Sequence, residues 1–353
     1  MDSSMIWEWV FKSIFILIAS TAGFAYMTLY ERRALAKIQA RIGPNRAGPF
    51  GLLQPVADGI KLIFKEELIP ANADKLIFII APVITVLPAL IITATTPLGG
   101  TVNLFGRQVA LQLAEVNVGV LYVMAVTSIS VYGITLAGWS SNNKYAALGG
   151  LRSTAQMISY EIAMGFSFIV PVLLAGSMSL KVIVDAQKDV WFLFLQPGAA
   201  FILFISMLAE TNRAPFDMPE AEQELTAGYH TEYSGMKFAL FFMAEYIKII
   251  AVSMIFATLF LGGYYLPFQN AIEQFTAGVP WLSWFNVVLP YLGPLVLFIK
   301  VALILFVFIW IRATLPRIRY DRLMAFGWKV TFPLSLLSVL VTAAAILLVG
   351  GKK

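Results

Sequence analysis

Carboxylates lie within or at the ends of long apolar segments of this 353-residue chain. Glu161 lies near the start of one segment, Glu245 lies a third of the way into another, and Glu115 and Glu210 lie at segment ends. A charged side chain at the centre of a membrane helix costs roughly 2.5–3.5 kcal/mol on insertion scales, so an intramembrane carboxylate usually marks an ion or proton pathway. The alternative is structural: the carboxylates at segment ends can reach interfacial water, and Lys248 can neutralise Glu245 on the same helical face.

A second group of carboxylates is concentrated in the segment that follows the fifth apolar run. Clustered carboxylates raise one another's pKa values toward the working pH, which a proton relay requires. An ordinary acidic loop is the alternative, but interleaved Pro215, Phe216 and Met218 are a poor composition for a solvated loop. The carboxylates of this segment are Glu210, Asp217, Glu220, Glu222, Glu224 and Glu232.

Two further ionisable residues are exceptional by their positions. Lys300 falls in the middle of the seventh apolar segment, where an unpaired ammonium is costly. We therefore expect Lys300 to pair with a buried glutamate, in a relay or in a purely structural ion pair. His230, the only histidine, falls in a loop, where a histidine is usually a hydrogen-bonding or surface residue, so the sequence assigns it no catalytic role.

The elements that carry these residues are predicted to be membrane helices. Hydrophobic residue types make up 59% of the chain and charged residues 13%, so most of the chain cannot be water-soluble. Because a bilayer core requires about 20 apolar residues per helix, we predict an all-α polytopic membrane protein, with a single membrane domain over residues 1–353. The eight predicted transmembrane helices are 7–30, 75–96, 117–138, 156–175, 191–209, 238–261, 291–311 and 330–349.

Lys and Arg are distributed unequally between the loops. Of the 25 basic residues, 17 fall in loops 31–75, 139–155, 210–237 and 312–329, so the positive-inside rule places these loops in the cytoplasm and both termini outside. Apolar residues recur at helical spacing in segment 51–64, which predicts an amphipathic interfacial helix in the cytoplasmic loop 31–75. A surface helix that covers other inner loops fits the pattern equally well. The acidic cytoplasmic loop is 210–237.

The absence of cysteine restricts the chemistry of the chain. Disulfides, thiolate zinc sites and iron–sulfur clusters held by this chain alone are excluded, and a single histidine disfavours a haem or a multi-histidine metal centre. The basic stretch formed by residues 31–33 and 39–49, which contains several Gly and Pro residues, fits either a contact with anionic lipid or a docking surface for an acidic partner.

Seven sequence blocks extend over nearly the whole chain, from residue 31 to residue 321. They are ERR at 31–33, RIGPNR at 41–46, GWSSNNKY at 138–145, SYE at 159–161, ETNRAPFD at 210–217, GYHTEYSG at 228–235 and PRIRYD at 316–321. Together they closely resemble the family of the H subunit of bacterial NADH:quinone oxidoreductase, respiratory complex I, which also contains mitochondrial subunit 1.

The resemblance implies a membrane subunit that docks the peripheral redox arm and forms the entrance and much of the membrane-side wall of a quinone chamber. It implies an acidic pathway toward the proton pumps through Glu161, Glu210, Asp217, Glu220, Glu222, Glu224, Glu232 and Glu245. It also implies that the quinone chamber, its portal or the contact with the peripheral arm involves Phe24, Arg41, Arg46, Leu53 and Arg213.

The resemblance further implies the cofactors, partners and location. Quinone is the substrate, this chain holds no cofactor, and the iron–sulfur clusters and FMN belong to partner subunits. The implied partners are the peripheral-arm iron–sulfur and quinone-site subunits, the neighbouring small membrane subunits and membrane lipids, without nucleic acid. The implied location is the bacterial plasma (inner) membrane.

Two other interpretations stay open from the sequence. A membrane subunit of an energy-converting hydrogenase would share the glutamates without a quinone, and the basic loop from Arg41 to Arg46 argues against it. A free-standing ion-coupled transporter would use carboxylates for the same relay, but the expected pair of broken helices is not evident. We therefore expect the chain to couple quinone reduction to proton movement through its glutamates.

Overall fold

The computed structural model describes residues 3–104, 107–218, 226–279 and 283–350, and most of them are helical. Within these ranges seven helices are long and apolar enough to cross a membrane, which confirms the prediction of a polytopic helical membrane protein. The α-helices are α1 (Ser3–Ile38), α2 (Gln54–Phe64), α3 (Lys75–Thr95), α4 (Gly119–Ser140), α5 (Lys144–Ala175), α6 (Leu180–Asp185), α7 (Phe192–Leu195), α8 (Pro197–Glu210), α9 (Gly235–Phe260), α10 (Gln269–Gly278), α11 (Ser283–Thr314), α12 (Tyr320–Phe326) and α13 (Phe332–Gly350).

The fifth predicted span, 191–209, is interrupted in the structure. It consists of the single turn α7 and the 14-residue helix α8, separated at Gln196, whose φ of −138° and ψ of 63° are not helical. Pro197 begins α8, a position where the missing N–H of proline loses no helical hydrogen bond. At about 1.5 Å per residue α8 is about 21 Å long, shorter than the ~30 Å hydrocarbon core. The apolar pattern did not reveal this break.

A short β-hairpin lies in the connection between α3 and α4, outside the long helices. Strand β1 (Thr101–Leu104) pairs antiparallel with strand β2 (Arg107–Ala110), with Thr101 opposite Ala110 and Leu104 opposite Arg107. No strand was predicted here, since the prediction rested on apolar runs of helical length.

The core lies where α3, α4, α5, α8 and α9 pack against one another. Small residues allow the backbones to approach closely: a Cβ at Gly138 of α4 would lie 2.6 Å from the Ala146 carbonyl oxygen of α5. In the most apolar stretch of α9, 61% of the residues are buried by the rest of the chain, whereas in that of α1 only 6% are. Most of the α1 surface is therefore left uncovered by the other described helices.

Helix α5 holds the segment that follows α8. The Gln156 amide nitrogen donates to the carbonyl oxygens of Ala209 and Phe216, each at 2.8 Å, and the Gln156 side chain is fully buried. One turn further, the Tyr160 hydroxyl donates to the Leu323 carbonyl oxygen of α12 at 2.9 Å. These bonds place the loop after α8 against the end of the bundle that carries the predicted cytoplasmic loops.

Among the described residues Lys300 binds backbone carbonyls and no glutamate, so the prediction of an ion pair was wrong. Its ammonium donates to the carbonyl oxygens of Leu261 at 2.5 Å, Gly263 at 2.8 Å and Tyr265 at 2.5 Å. It also lies 4.4 Å from the centre of the Trp191 ring. Leu261 directly follows α9, and Gly263 and Tyr265 lie in the loop beyond it. Lys300 of α11 therefore ties down the backbone of this loop, through carbonyl acceptors that residue types do not reveal.

Candidate functional site

The first charged pair of the site joins the end of α8 to the middle of α9. Lys248 Nζ lies 2.7 Å from Glu210 Oε1 and donates to Ser130 Oγ of α4 at 3.1 Å. Glu210 is 1% exposed and Lys248 7%, so each charge compensates a large desolvation penalty of the other. The sequence had suggested, as a purely structural alternative, that Lys248 neutralises Glu245. In the structure the ion-pair partner of Lys248 is Glu210.

Arg213 organises a second charged group, which we call the Arg213 cluster. Its Nε lies 2.6 Å from Glu245 Oε1, and its NH1 donates to Glu31 Oε1 at 3.2 Å. Glu31 also forms an ion pair with Arg312. The guanidinium carbon lies 4.4 Å from the centre of the Tyr246 ring, within cation–π range. The cluster thus ties α1, α9 and α11 to the loop after α8.

Glu161 lies on α5, facing α4. It is half-buried and forms a hydrogen bond with the Ser128 hydroxyl. Two residues further along α4, Ser130 contacts Lys248, so α4 contacts both Glu161 and the Glu210–Lys248 pair. Glu161 is also close enough to Glu210 for the two carboxylates to repel each other.

A small cavity is lined by residues of both the Glu210–Lys248 pair and the Arg213 cluster. Its volume is about 30 Å³, above the roughly 10–15 Å³ that one water molecule requires. Glu210 and Lys248 line the cavity from the ion pair, and Glu245 lines it from the Arg213 cluster. The polar lining consists mainly of Ser130, Glu210, Asn212, His230, Glu245 and Lys248.

His230 forms part of the wall of this cavity and is not a surface residue. Its side chain is buried, with 6% exposed, and the ring centre lies 3.8 Å from that of Tyr229 and 5.5 Å from that of Phe241. Burial lowers the pKa of His230 to about 3, so the imidazole is neutral at physiological pH. This position was missed from the sequence because a short loop helix, Gly228–His230, folds into the bundle.

The other predicted relay carboxylates lie in loops or outside the described residues. Glu232 accepts a hydrogen bond from the Asn143 amide at 2.7 Å. Asp217 is half-buried in the loop after α8. The structure therefore brings Glu161, Glu210 and Glu245 together within the bundle and places Glu232 and Asp217 toward its end. The predicted residues outside the described ranges are Glu220, Glu222 and Glu224.

The residues predicted around a quinone chamber fall into two groups. The Phe24 ring centre lies 5.9 Å from that of Tyr246, which places Phe24 beside Arg213 and its cluster. By contrast, Arg41 and Arg46 are exposed in the loop between α1 and α2, where Arg41 Nε donates to Gln39 at 2.7 Å. Leu53 is exposed just before α2.

Two residues of the Arg213 cluster, Glu31 and Arg312, were missed as site residues. Both lie at the ends of predicted spans, where a charge usually meets interfacial water. Glu31 belongs to a recognised sequence block, and it is the one acid next to Arg32 and Arg33. That position is a signal of function, but only the packing of α1 against α9 and α11 shows which partners Glu31 meets.

The fold and the site define a polytopic helical membrane protein with charged residues paired inside the bundle around a polar cavity. A family profile described as NADH dehydrogenase matches residues 11–343. The chain is 51% identical over 319 residues to the H subunit of NADH-quinone oxidoreductase of Protochlamydia amoebophila, covering 90% of this chain and 91% of that protein. It is 50% identical over 335 residues to an H subunit of the Geobacter metallireducens enzyme, covering 95% and 94%. The chain belongs to this NADH dehydrogenase family.

Proposed function

We propose that the chain is the membrane subunit of a proton-pumping NADH:quinone oxidoreductase that forms the quinone chamber and couples quinone reduction to proton translocation. Similarity to these H subunits over nearly the whole chain supports membership of that complex. The observation that carries the coupling role is the shared cavity between the Glu210–Lys248 pair and the Arg213 cluster.

The coupling proposed here is electrostatic. Reduction of a quinone consumes two protons, which changes the charge next to any carboxylate that faces the chamber. Two unit charges about 4 Å apart interact by about 4 kcal/mol at an effective dielectric constant of about 20. Loss of one charge near Arg213 therefore changes the protonation of Glu31 or Glu245 substantially. Because Glu210 lines the same cavity as Glu245, the change can pass on toward Glu210 and Glu161.

The proposed quinone chamber begins at Phe24 and Arg213, with Arg41, Arg46 and Leu53 around its entrance and the contact with the peripheral arm. Helix α2 supports a portal at the membrane surface. Its exposed apolar side chains recur three or four residues apart, as in a helix that lies in the interface. These side chains are Val56, Ile60, Ile63 and Phe64.

The remaining proposals concern topology, location and partners. Eight spans, with α7 and α8 together as the fifth, place both termini on the periplasmic side of a bacterial inner membrane. Within the complex, the partners are the peripheral-arm iron–sulfur and quinone-site subunits, small membrane subunits and lipids. Quinone is the substrate, and the iron–sulfur clusters and FMN belong to partner subunits.

The coupling proposal is tested by Glu161→Gln and Glu210→Gln in the assembled complex. Each substitution keeps the shape of the side chain and removes its titration. We expect quinone reduction and proton pumping to fall about tenfold, equivalent to about 1.4 kcal/mol. Unchanged quinone reduction together with unchanged pumping in both variants would overturn the proposal.

The chamber proposal is tested separately by Arg46→Ala. Loss of an exposed cation at the entrance is expected to raise the KM for quinone or to lower the yield of assembled complex. Normal values for both measurements would remove Arg46 from the chamber and from the peripheral-arm contact.

A further inference from the structure

His230 is held rigidly in the cavity wall by aromatic packing. The ring centres of Tyr229, Phe238, Phe241 and Phe242 lie 3.8–5.8 Å from that of His230. Within the described part of the chain the Nε2 atom of the imidazole has no hydrogen-bond partner, although it is fully buried. A buried polar atom left without a partner costs roughly 1–3 kcal/mol, so such an atom normally meets a ligand or water.

A second buried atom at the same cavity also lacks a partner among the described residues. It is Glu210 Oε2, on the carboxylate whose other oxygen binds Lys248. His230 and Glu210 both line the cavity of about 30 Å³, together with Ser130, Glu245 and Lys248. Most of the residues that line the cavity carry polar groups, and its volume exceeds the roughly 10–15 Å³ that a water molecule needs.

We propose that His230 is a positioning residue that holds a water molecule between Glu210 and Glu245. This inference rests on the proposed proton-coupling function and adds one step to it. When Glu210 carries a proton, that proton passes to the water while a proton of the water passes to the Glu245 carboxylate. Glu210 is left ionised, Glu245 is left neutral and the water is regenerated. The imidazole binds the water and stays neutral throughout.

Neutrality of the imidazole follows from its surroundings. Burial among four aromatic rings lowers the pKa of His230 to about 3. The charged groups that share its cavity are Glu210, Lys248 and Glu245. The imidazole therefore adds no charge to the cavity.

The test replaces His230 by Phe in the intact complex. Phe fits the aromatic surroundings but has no polar atom for water, so we expect quinone reduction per assembled complex to fall about fivefold, equivalent to about 1 kcal/mol. The solvent deuterium isotope effect is expected to rise and the pH profile to shift, since proton transfer becomes limiting. His230→Gln places an amide near the Nε2 position. Unlike His230→Phe, it is expected to keep the rate of quinone reduction and the pH profile of the parent complex.

Phe238→Leu is the matched control. Phe238 packs on the His230 ring, 5.7 Å between centres, but is not among the residues that line the cavity. A purely structural role for His230 predicts that both substitutions lower the yield of complex and leave its rate, isotope effect and pH profile unchanged. That outcome, or failure of His230→Gln to restore the rate, would overturn the proposal.

A structure of the unmodified complex provides a test that needs no variant. An ordered water within about 3.2 Å of both His230 Nε2 and Glu210 Oε2 is expected, and a map that shows other buried waters but none here would overturn the bridge. Glu210→Gln separates the two levels of the proposal. Lost pumping in Glu210→Gln with normal His230→Phe defeats only the bridge, whereas unchanged quinone reduction and unchanged pumping in both Glu210→Gln and Glu161→Gln defeat the coupling function itself.

Discussion

Lys248 and Lys300 are two buried lysines on apolar helices, and they are stabilised in different ways. They are 7% and 8% exposed, so both ammonium groups have lost nearly all contact with water. Lys248 of α9 is compensated by the Glu210 carboxylate and the Ser130 hydroxyl. Lys300 of α11 is compensated by three backbone carbonyls in the loop that follows α9.

The difference separates a group that can take part in proton transfer from one that holds the fold. A carboxylate changes charge when it binds a proton, so the electrostatic environment of Lys248 can change during turnover. A backbone carbonyl keeps its dipole at every pH, so the environment of Lys300 is constant. The position of a lysine within an apolar helix is therefore insufficient evidence for a relay; the chemistry of its partner decides.

The largest expected effect is that of Lys300→Met on assembly. The substitution leaves three carbonyls without donors, at roughly 1–3 kcal/mol each. We expect the amount of assembled complex, measured on native gels and by thermal inactivation, to fall at least about tenfold. The rate per assembled complex is expected to stay normal. Normal assembly of Lys300→Met would show that these three hydrogen bonds are dispensable.

Lys248→Met is the matched substitution, and its expected effect falls on turnover. Glu210 can become neutral by binding a proton, so the complex still assembles. Without the ammonium, Glu210 no longer ionises readily, and quinone reduction and pumping per complex are expected to fall about tenfold. Lys248→Arg, which keeps the charge, serves as the control. A loss of assembly equal to that of Lys300→Met would contradict the distinction between the two lysines.

Ser128→Ala is expected to have a moderate effect. It removes the hydroxyl that binds Glu161 and leaves the carboxylate itself in place. A single hydrogen bond contributes about 0.5–1.5 kcal/mol, so we expect roughly a threefold change in the rate of quinone reduction. Ser167→Ala on the same helix as Glu161 is the control, because the Ser167 hydroxyl binds only its own helix at Ala163. Equal effects of the two variants would exclude a role for Ser128 at Glu161.

Glu115→Gln is expected to have the smallest effect. Glu115 forms a 3.1 Å ion pair with Lys181, and both side chains are about a third to a half exposed. Exposed ion pairs contribute roughly 0–1 kcal/mol. Assembly, quinone reduction and pumping are expected to match those of the parent complex. A large loss of pumping in this variant would mean that carboxylates outside the bundle also belong to the relay.

Much of the helical organisation was predictable, because apolar run length is a local property. The apolar runs correctly predicted seven long helices. The prediction of a continuous helix over 191–209 was wrong, because Gln196 is not helical and Pro197 begins a shorter helix. Glu161 and Glu245 were predicted inside these runs and Glu210 at the end of one, and the structure places the Glu210 side chain inside the bundle as well. Their roles in a relay stay predictions.

The partners of the charged residues were not predictable from composition or spacing. His230 was interpreted as a loop residue, yet its loop packs into the bundle and its ring lines the cavity. Glu31 was interpreted as part of a basic block, yet it bonds to Arg213, 182 residues away. Such pairs depend on how distant helices pack, which no local pattern records.

From residue types alone it follows that the chain crosses a membrane many times and carries carboxylates at membrane depth, since burial in lipid requires long apolar runs. Tertiary structure alone assigns Lys248 to a carboxylate and Lys300 to carbonyls. The physical reason is that every residue carries the same backbone carbonyl, so a loop whose carbonyls bind a cation cannot be recognised from its residue types.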